Sequence, residues 1–242
     1  MPYRRRVPLQ PILTARDDDG ESIPLLVWRL PAPMRAISSA PLGGGIGLRN
    51  WVINATVSMS YNRNDPDVHL AELADDLALQ GPGVGLLTGV DVTKRVHATE
   101  ATAEIWATVG LGAPIRAATA APQITRPAAA PATTAAPLPR PGTINIVAFV
   151  PVTLGDAALV NAVATITEAK AQALWDLGLD ATGTATDAVT ILCPPDRDPE
   201  RYGGPLSPWG ARLARVTHEA VTRGGHRREI PWSEQRAGNP PA

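Results

Sequence analysis

Short runs of strand-forming residues alternate along the chain with longer stretches whose apolar positions recur every three or four residues. The strand-like runs fall at residues 23–28 (IPLLVW), 51–59 (WVINATVSM), 83–92 (GVGLLTGVDV), 104–111 (EIWATVGL), 143–152 (TINIVAFVPV) and 182–192 (TGTATDAVTIL). They are rich in Val, Ile, Leu or Thr, the composition of strands with at least one buried face. Three helices are predicted among them. The first takes Asp65 as N-cap and Pro66 at its first position, where a missing N–H costs nothing. Leu70, Leu73 and Leu77 form its apolar stripe, and Gly81 ends it. The second runs from Asp156 to Gly178 with Leu159, Val163, Ile166, Ala173 and Leu177 on one face. The third starts at Ser207-Pro208, carries Trp209, Leu213, Val216 and Ala220, and stops at Gly224-Gly225. Strands and helices without strict alternation predict an α/β or α+β fold, a layered sheet-and-helix domain.

Residues 117–141 interrupt this pattern with an Ala/Pro/Thr run whose prolines break helices and sheet ladders alike. That run reads as an exposed insertion into one domain spanning residues 1–225, with residues 226–242 a flexible tail. The two sides of the insertion also look alike. Asn54 lies eleven positions before Asp65, and Asn145 eleven before Asp156; a Thr-x-x-Asp then follows each helix, at Thr88–Asp91 and Thr184–Asp187. The spacing suggests two duplicated strand–helix–strand units about a pseudo-two-fold axis, with chance similarity the competing explanation. Such an axis would bring Asn54, Asn145, Asp91 and Asp187 together, and polar groups in apolar strands need partners.

The octet TGTATDAV places Thr182, Thr184 and Thr186 at alternate positions before Asp187. On a strand that period sends all three hydroxyls to one face. They are either the polar face of an ordinary strand or the wall of a site.

Composition narrows the classes. With 22 basic and 23 acidic residues the net charge is −1, so nothing favours nucleic acid or an anionic membrane as partner. No apolar run reaches the length of a membrane span, and the basic start MPYRRR is not followed by a signal-type apolar stretch, so a cytoplasmic location is expected. The single cysteine, Cys193, excludes an internal disulfide and reads as a small buried hydrophobe. His69, His97, His218 and His226 share no metal-ligand spacing, which argues against a zinc hydrolase; no bound metal is expected. His69, Glu72 and Asp76 fall on one polar helical face of the solvated kind. Six of the ten aromatic residues are Trp, suited either to core filling or to walling a broad flat ligand.

Three features offer chemistry. The stretch SSAPLGGGIG (38–47) sets Ser38 and Ser39 before a glycine cluster including Gly44 and Gly45, a loop able to approach a ligand closely, though without the spacing of a phosphate or dinucleotide loop. Lys170 interrupts the apolar stripe of the second helix, either snorkelling to water or buried as a functional amine. Glu168 lies on the opposite side of the same helix, where a surface position is expected.

The segments ISSAPLGGGIG, WVINATVSMSY, GPGVGLLTGVDV, ATVGLG, the block from Gly142 to Gly178 and ATGTATDAV together resemble the adenosylcobinamide amidohydrolases of corrinoid salvage, in the same order from Ser38 to Trp209. The resemblance implies hydrolysis of the amide joining aminopropanol to the corrin ring, giving adenosylcobyric acid; the cobalt corrinoid is then substrate, and no cofactor is needed. It carries no residue roles with it. Matched to the chemistry of amide hydrolysis, Asp187 or Asp91 serves as base, Thr184 or Thr186 as hydroxyl, and Lys170 as proton donor or charge stabiliser. Asn54 and Asn145 hold the amide or its oxyanion, with Ser38, Ser39, Gly44, Gly45, Glu168 and Thr182 as further substrate contacts. The alternative is a corrinoid-binding protein without turnover.

Overall fold

A strand of eighteen residues, β2 (Glu21–Ser38), joins the two halves of a mixed sheet in the computed structural model, which describes residues 9–18, 20–58, 61–119 and 142–226. The sheet contains β1 (Ile12–Asp18), β2, β3 (Gly45–Thr56), β4 (Gly83–Thr88), β5 (Val96–Glu100), β6 (Ala103–Val109), β7 (Ile144–Phe149) and β8 (Ala188–Cys193). Its order is β4-β3-β2-β8-β7-β6-β5, with β1 also paired to β2. The helices are α1 (Pro66–Asp76), α2 (Asp156–Asp176) and α3 (Pro208–Gly225). Pairs β3–β4 and β7–β8 are parallel, each closed by a crossover helix; the other pairs are antiparallel. None of the helices is long and apolar enough to cross a membrane.

Strands β4, β6, β7 and β8 read as near-continuous apolar runs because both of their faces are covered. In β3, Trp51, Ile53 and Ala55 pack beneath α1 with Leu70, Leu73 and Ala74. The alternate residue Val52 points the other way, into a core shared with Leu86, Trp106, Val147, Phe149 and Leu192. That middle core lies between the two halves of the sheet, which has curled so that β4-β3-β2 faces β8-β7-β6-β5. Trp28 of β2 meets Trp106 of β6 edge-to-face there, with ring centroids 5.9 Å apart. On the far side, Ile105, Ile144, Ile146 and Ile191 pack against Leu159 and Ile166 of α2 and Leu213 and Val216 of α3. The layers therefore run helix, sheet, sheet, helices. Each fully buried Leu or Ile contributes on the order of 1.5–3 kcal/mol to that assembly.

The register of β2 against β3 shifts between Arg29 and Met34, around Pro31 and Pro33, which have no N–H to give a ladder. Before the break β2 pairs with β1; after it, Arg35–Ser38 pair with β8. The loop from β2 to β3 then bridges both halves: Ser39 N donates to Val189 O at 3.0 Å, and Leu42 O accepts from Gly85 N at 3.0 Å. Gly43 within it has φ +71°, and a Cβ there would lie 1.9 Å from the carbonyl oxygen of Gly83. Glycine is required at that crossing.

The helix starts follow the expected signals, with one difference in mechanism, but α1 ends at Asp76, with Leu77 as C-cap and Ala78 at φ +51°, rather than at the expected Gly81. Ser207 caps α3 by accepting from Gly210 N at 3.1 Å. Asp65 occupies the N-cap of α1 but makes no side-chain cap; its carboxylate pairs with Arg63 instead. The largest correction concerns residues 182–187, which form a turn, so that strand β8 begins only at Ala188. The hydroxyls of Thr182, Thr184 and Thr186 therefore go to three different partners rather than to one face. Both β3-α1-β4 and β7-α2-β8 are strand–helix–strand units, yet the residue correspondence of a duplication is not supported. Asp91 follows β4 whereas Asp187 precedes β8, and Asn54 sits near the end of β3 whereas Asn145 is the second residue of β7. The expected insertion beyond residue 119 and the tail beyond His226 lie outside the described residues.

Candidate active site

A cleft of about 450 Å³ opens where the ends of β3 and β4 meet the beginnings of β7 and β8. Pro41 from the bridging loop, Val57, Pro66, Leu86, Leu87 and Ala188 supply apolar walls. Ser58, Tyr61, Thr88, Thr143, Asn145 and Thr186 supply the polar side chains, and no charged side chain lines it among the described residues. Apolar walls with a few fixed polar groups are the usual make-up of a small-molecule site.

The polar floor is held by a thread of amides across the middle layer. Asn145 donates from Nδ2 to Oδ1 of Asn54 at 2.9 Å and to the carbonyl of Leu87 at 2.9 Å; Asn54 donates in turn to Thr108 Oγ1 at 3.2 Å. Asn54 and Asn145 are 2% and 1% exposed, so these bonds offset a desolvation cost of about 1–3 kcal/mol per unpaired group. Because both N–H groups of Asn145 are engaged, its Oδ1 is the end able to accept from a ligand. Beside it, the hydroxyls of Thr143 and Thr186 lie 2.6 Å apart, both on the cleft wall.

Asp187 does not line the cleft. Its carboxylate accepts from Ile144 N at 2.9 Å, Thr184 N at 3.0 Å and Thr184 Oγ1 at 2.5 Å, and pairs with the ammonium of Lys170. The two side chains are 11% and 8% exposed, a buried ion pair whose lone pairs are occupied by further donors. A Cβ on Gly183 would fall 2.4 Å from both Asp187 Oδ2 and Lys170 Nζ, so the turn has no room for a side chain. The cluster ties the turn 182–187 to α2 and to the start of β7, one residue from Asn145, and thereby sets Thr186.

The other predicted residues are dispersed. Asp91 accepts from Thr93 N at 2.9 Å and Thr93 Oγ1 at 2.7 Å, capping a 3₁₀ turn at Val92–Lys94. Ser38 Oγ meets Thr190 Oγ1 at 2.8 Å inside the sheet, and Ser39 Oγ accepts from Val189 N at 3.1 Å. Gly44, in the bridging loop, and Gly45, the first residue of β3, are exposed, and the loop reaches the cleft through Pro41 instead. Thr182 accepts from Ala117 N at 2.9 Å on the surface, and Glu168 occupies the exposed face of α2. Neither approaches the cleft wall. No three His, Cys, Asp or Glu side chains converge among the described residues.

One pair escaped the sequence reading. Tyr61 lines the cleft, and its hydroxyl lies 3.1 Å from Nδ1 of His69, with the rings stacked at 5.4 Å between centroids. Burial, reinforced by the charges of Arg16 and Arg63, holds the His69 imidazole below its usual value. Burial also pushes the Tyr61 phenol up. The sequence signal was weak, since His69 shares its helical face with charged residues.

The profile of the adenosylcobinamide amidohydrolase family matches residues 10–230. An adenosylcobinamide amidohydrolase of Methanosarcina mazei is 29% identical over 155 residues, 63% of this chain and 66% of the relative. One of Halobacterium salinarum is 42% identical over 81 residues, 34% of this chain and 35% of the relative. The aligned parts thus span less than two thirds of either relative's length.

Proposed function

This chain belongs to the adenosylcobinamide amidohydrolase family, and we propose that it hydrolyses the amide joining aminopropanol to the corrin ring of adenosylcobinamide. The products are adenosylcobyric acid and aminopropanol, a reaction that returns scavenged corrinoid to cobalamin synthesis. The observation that carries this reading is the polar strip of Asn145, Thr143 and Thr186 along one side of an otherwise apolar cleft. Its volume of about 450 Å³ is at the small end of ligand sites, so it takes the reacting side arm while the macrocycle and its cobalt stay at the mouth. The cobalt is part of the substrate.

In that pose Asn145 Oδ1 accepts from the scissile amide N–H, which orients the carbonyl. The paired hydroxyls of Thr143 and Thr186 hold water against the carbonyl carbon, converting a bimolecular attack into a positioned one. Asn54 fixes Asn145 from behind. Asp187, Lys170 and Thr184 keep the turn beneath Thr186 rigid, and Asp91 does the same for the turn that follows β4. Ser38 and Ser39 pin the start of the bridging loop to β8, Gly44 and Gly45 return it to β3, and Pro41 between them carries it to the cleft wall. Thr182 tethers the turn at the surface, and Glu168 stays outside the reaction.

The test is release of aminopropanol from adenosylcobinamide by the purified protein. Stoichiometric appearance of aminopropanol and a new corrinoid carboxylate supports hydrolysis. Tight binding of intact adenosylcobinamide without release would instead make this chain a corrinoid-binding protein.

A further inference from the structure

Tyr61 is the one ionisable side chain lining the cleft among the described residues, and it is held by two independent contacts. Tyr61 N donates to Ser58 O at 3.0 Å. His69, in the first turns of α1, stacks on the phenol with an interplanar angle of 23° and places Nδ1 3.1 Å from the hydroxyl. Two carboxylates that spacing nominates as base, Asp187 and Asp91, are engaged by other donors away from the wall. Water activation in this cleft therefore needs a different proton acceptor.

We propose that Tyr61 and His69 form the proton relay for amide hydrolysis, with the Tyr61 hydroxyl touching the reacting atoms and His69 acting through it. This assignment rests on the amide-hydrolysis reading above. As the water oxygen bonds to the amide carbon, one water proton passes to the phenol oxygen while the phenol's own proton passes to Nδ1. The imidazolium then returns its proton through the same hydroxyl to the amide nitrogen, and the carbon–nitrogen bond breaks. One water is consumed: its oxygen stays on the carbonyl carbon, and the relayed proton leaves on the amine. Tyr61 and His69 end as they began.

The surroundings keep the relay ready to accept. Arg16 and Asp18 face His69 from β1, Arg63 and Asp65 from the loop before α1, and Glu72 from within α1. Arg63 is neutralised by its pairs with Asp65 and Glu72. Arg16 pairs with Asp18 at 3.8 Å and donates to the Thr56 carbonyl at 2.9 Å, while its Nη1 is buried without a hydrogen-bond partner. Burial first, and the nearby guanidinium charges of Arg16 and Arg63 second, disfavour the imidazolium, so the resting imidazole keeps a lone pair available at neutral pH.

Tyr61→Phe keeps the ring stack and removes only the hydroxyl; His69→Gln removes the acceptor. Each is expected to lower kcat by about a hundredfold or more with KM little changed, and the double variant to be no slower than the worse single variant. Added imidazole should restore part of the rate to His69→Gly, a response that a purely structural histidine would not give. A wild-type protein that turns over adenosylcobinamide while Tyr61→Phe and His69→Gln keep full rate overturns the relay and leaves the hydrolysis reading intact. A wild-type protein that binds adenosylcobinamide without releasing aminopropanol overturns both.

Discussion

Asn145 of β7 reaches across the seam of the curled sheet and donates from Nδ2 to Oδ1 of Asn54 on β3, 2.9 Å away. These residues lie 91 positions apart in the chain, and their contact ties the cleft floor to both halves of the sheet. Asn54→Ala would leave Asn145 short of one acceptor and Thr108 short of its donor. The expected loss is about 1–3 kcal/mol of folding stability, read from the midpoint of urea unfolding. Turnover should fall as well, because the floor loses its fixed orientation. An Asn54→Ala protein as stable as wild type would show that the thread contributes nothing to holding the halves together.

The Lys170–Asp187 pair should behave as a brace. Asp187→Asn leaves the Lys170 ammonium buried without a counter-charge, so a loss of about 3–5 kcal/mol is expected, with a correspondingly lower Tm. Adding Lys170→Met to that variant should recover much of the loss, since it removes the stranded charge. Turnover per folded molecule should drop only modestly, through the position of Thr186. A stably folded Asp187→Asn enzyme slowed by about a hundredfold or more would return Asp187 to the role of base.

Acid should weaken the protein partly through His69. Its folded-state affinity for a proton lies below that of an unfolded imidazole, so the unfolded chain takes up the proton first as pH falls. Stability from this group is fully present above about pH 6.5 and declines below it, until the folded pKa is passed. Tm measured between about pH 7 and pH 5 should fall less steeply for His69→Gln than for wild type. Parallel profiles would mean that the imidazole titrates alike in both states.

Cys193, the chain's single cysteine, should be chemically silent in the folded protein. It is 0% exposed within β8, and burial pushes its thiol up, away from the reactive thiolate. Ellman's reagent should release almost no colour from native protein and one equivalent after denaturation in guanidinium. Prompt native reaction would show that β8 opens readily.

The elements that local signals specify were legible in the sequence. Pro66 and Ser207-Pro208 mark helix starts because they act within one turn, and the stripes of α1, α2 and α3 face the cores expected of them. The turn at 182–187 was read as strand because threonine favours strands, but Asp187 captures the backbone N–H of Thr184 and closes a local turn instead. Gly183, which admits no Cβ, was the available warning. β1 and β5 were missed because their charged, half-exposed residues blur the period of two. Lys170 stands out on its apolar stripe, and a carboxylate buried at Asp187 needs a counter-charge or amide, so their pairing seventeen residues apart is legible from the cost of burial though not from periodicity. Tyr61 and His69 meet only because the loop before α1 turns back, which no residue pattern announces.

The break in β2 has a consequence for how the protein is made. Ser38, near the start of the chain, finds its hydroxyl partner Thr190 152 residues later, and β8 cannot be placed in the sheet until its last residues are available. Contacts of such long sequence separation slow folding. On the ribosome the first half can lay down β1, α1, β3 and β4, but Arg35–Ser38 of β2 must wait with one side unpaired until β8 has emerged. The cleft walls arrive in two instalments, so no nascent fragment ending before β8 can hold the substrate. A chain that extends through β8 is the shortest one expected to recognise its ligand during synthesis, and the waiting edge of β2 is where premature release would invite aggregation.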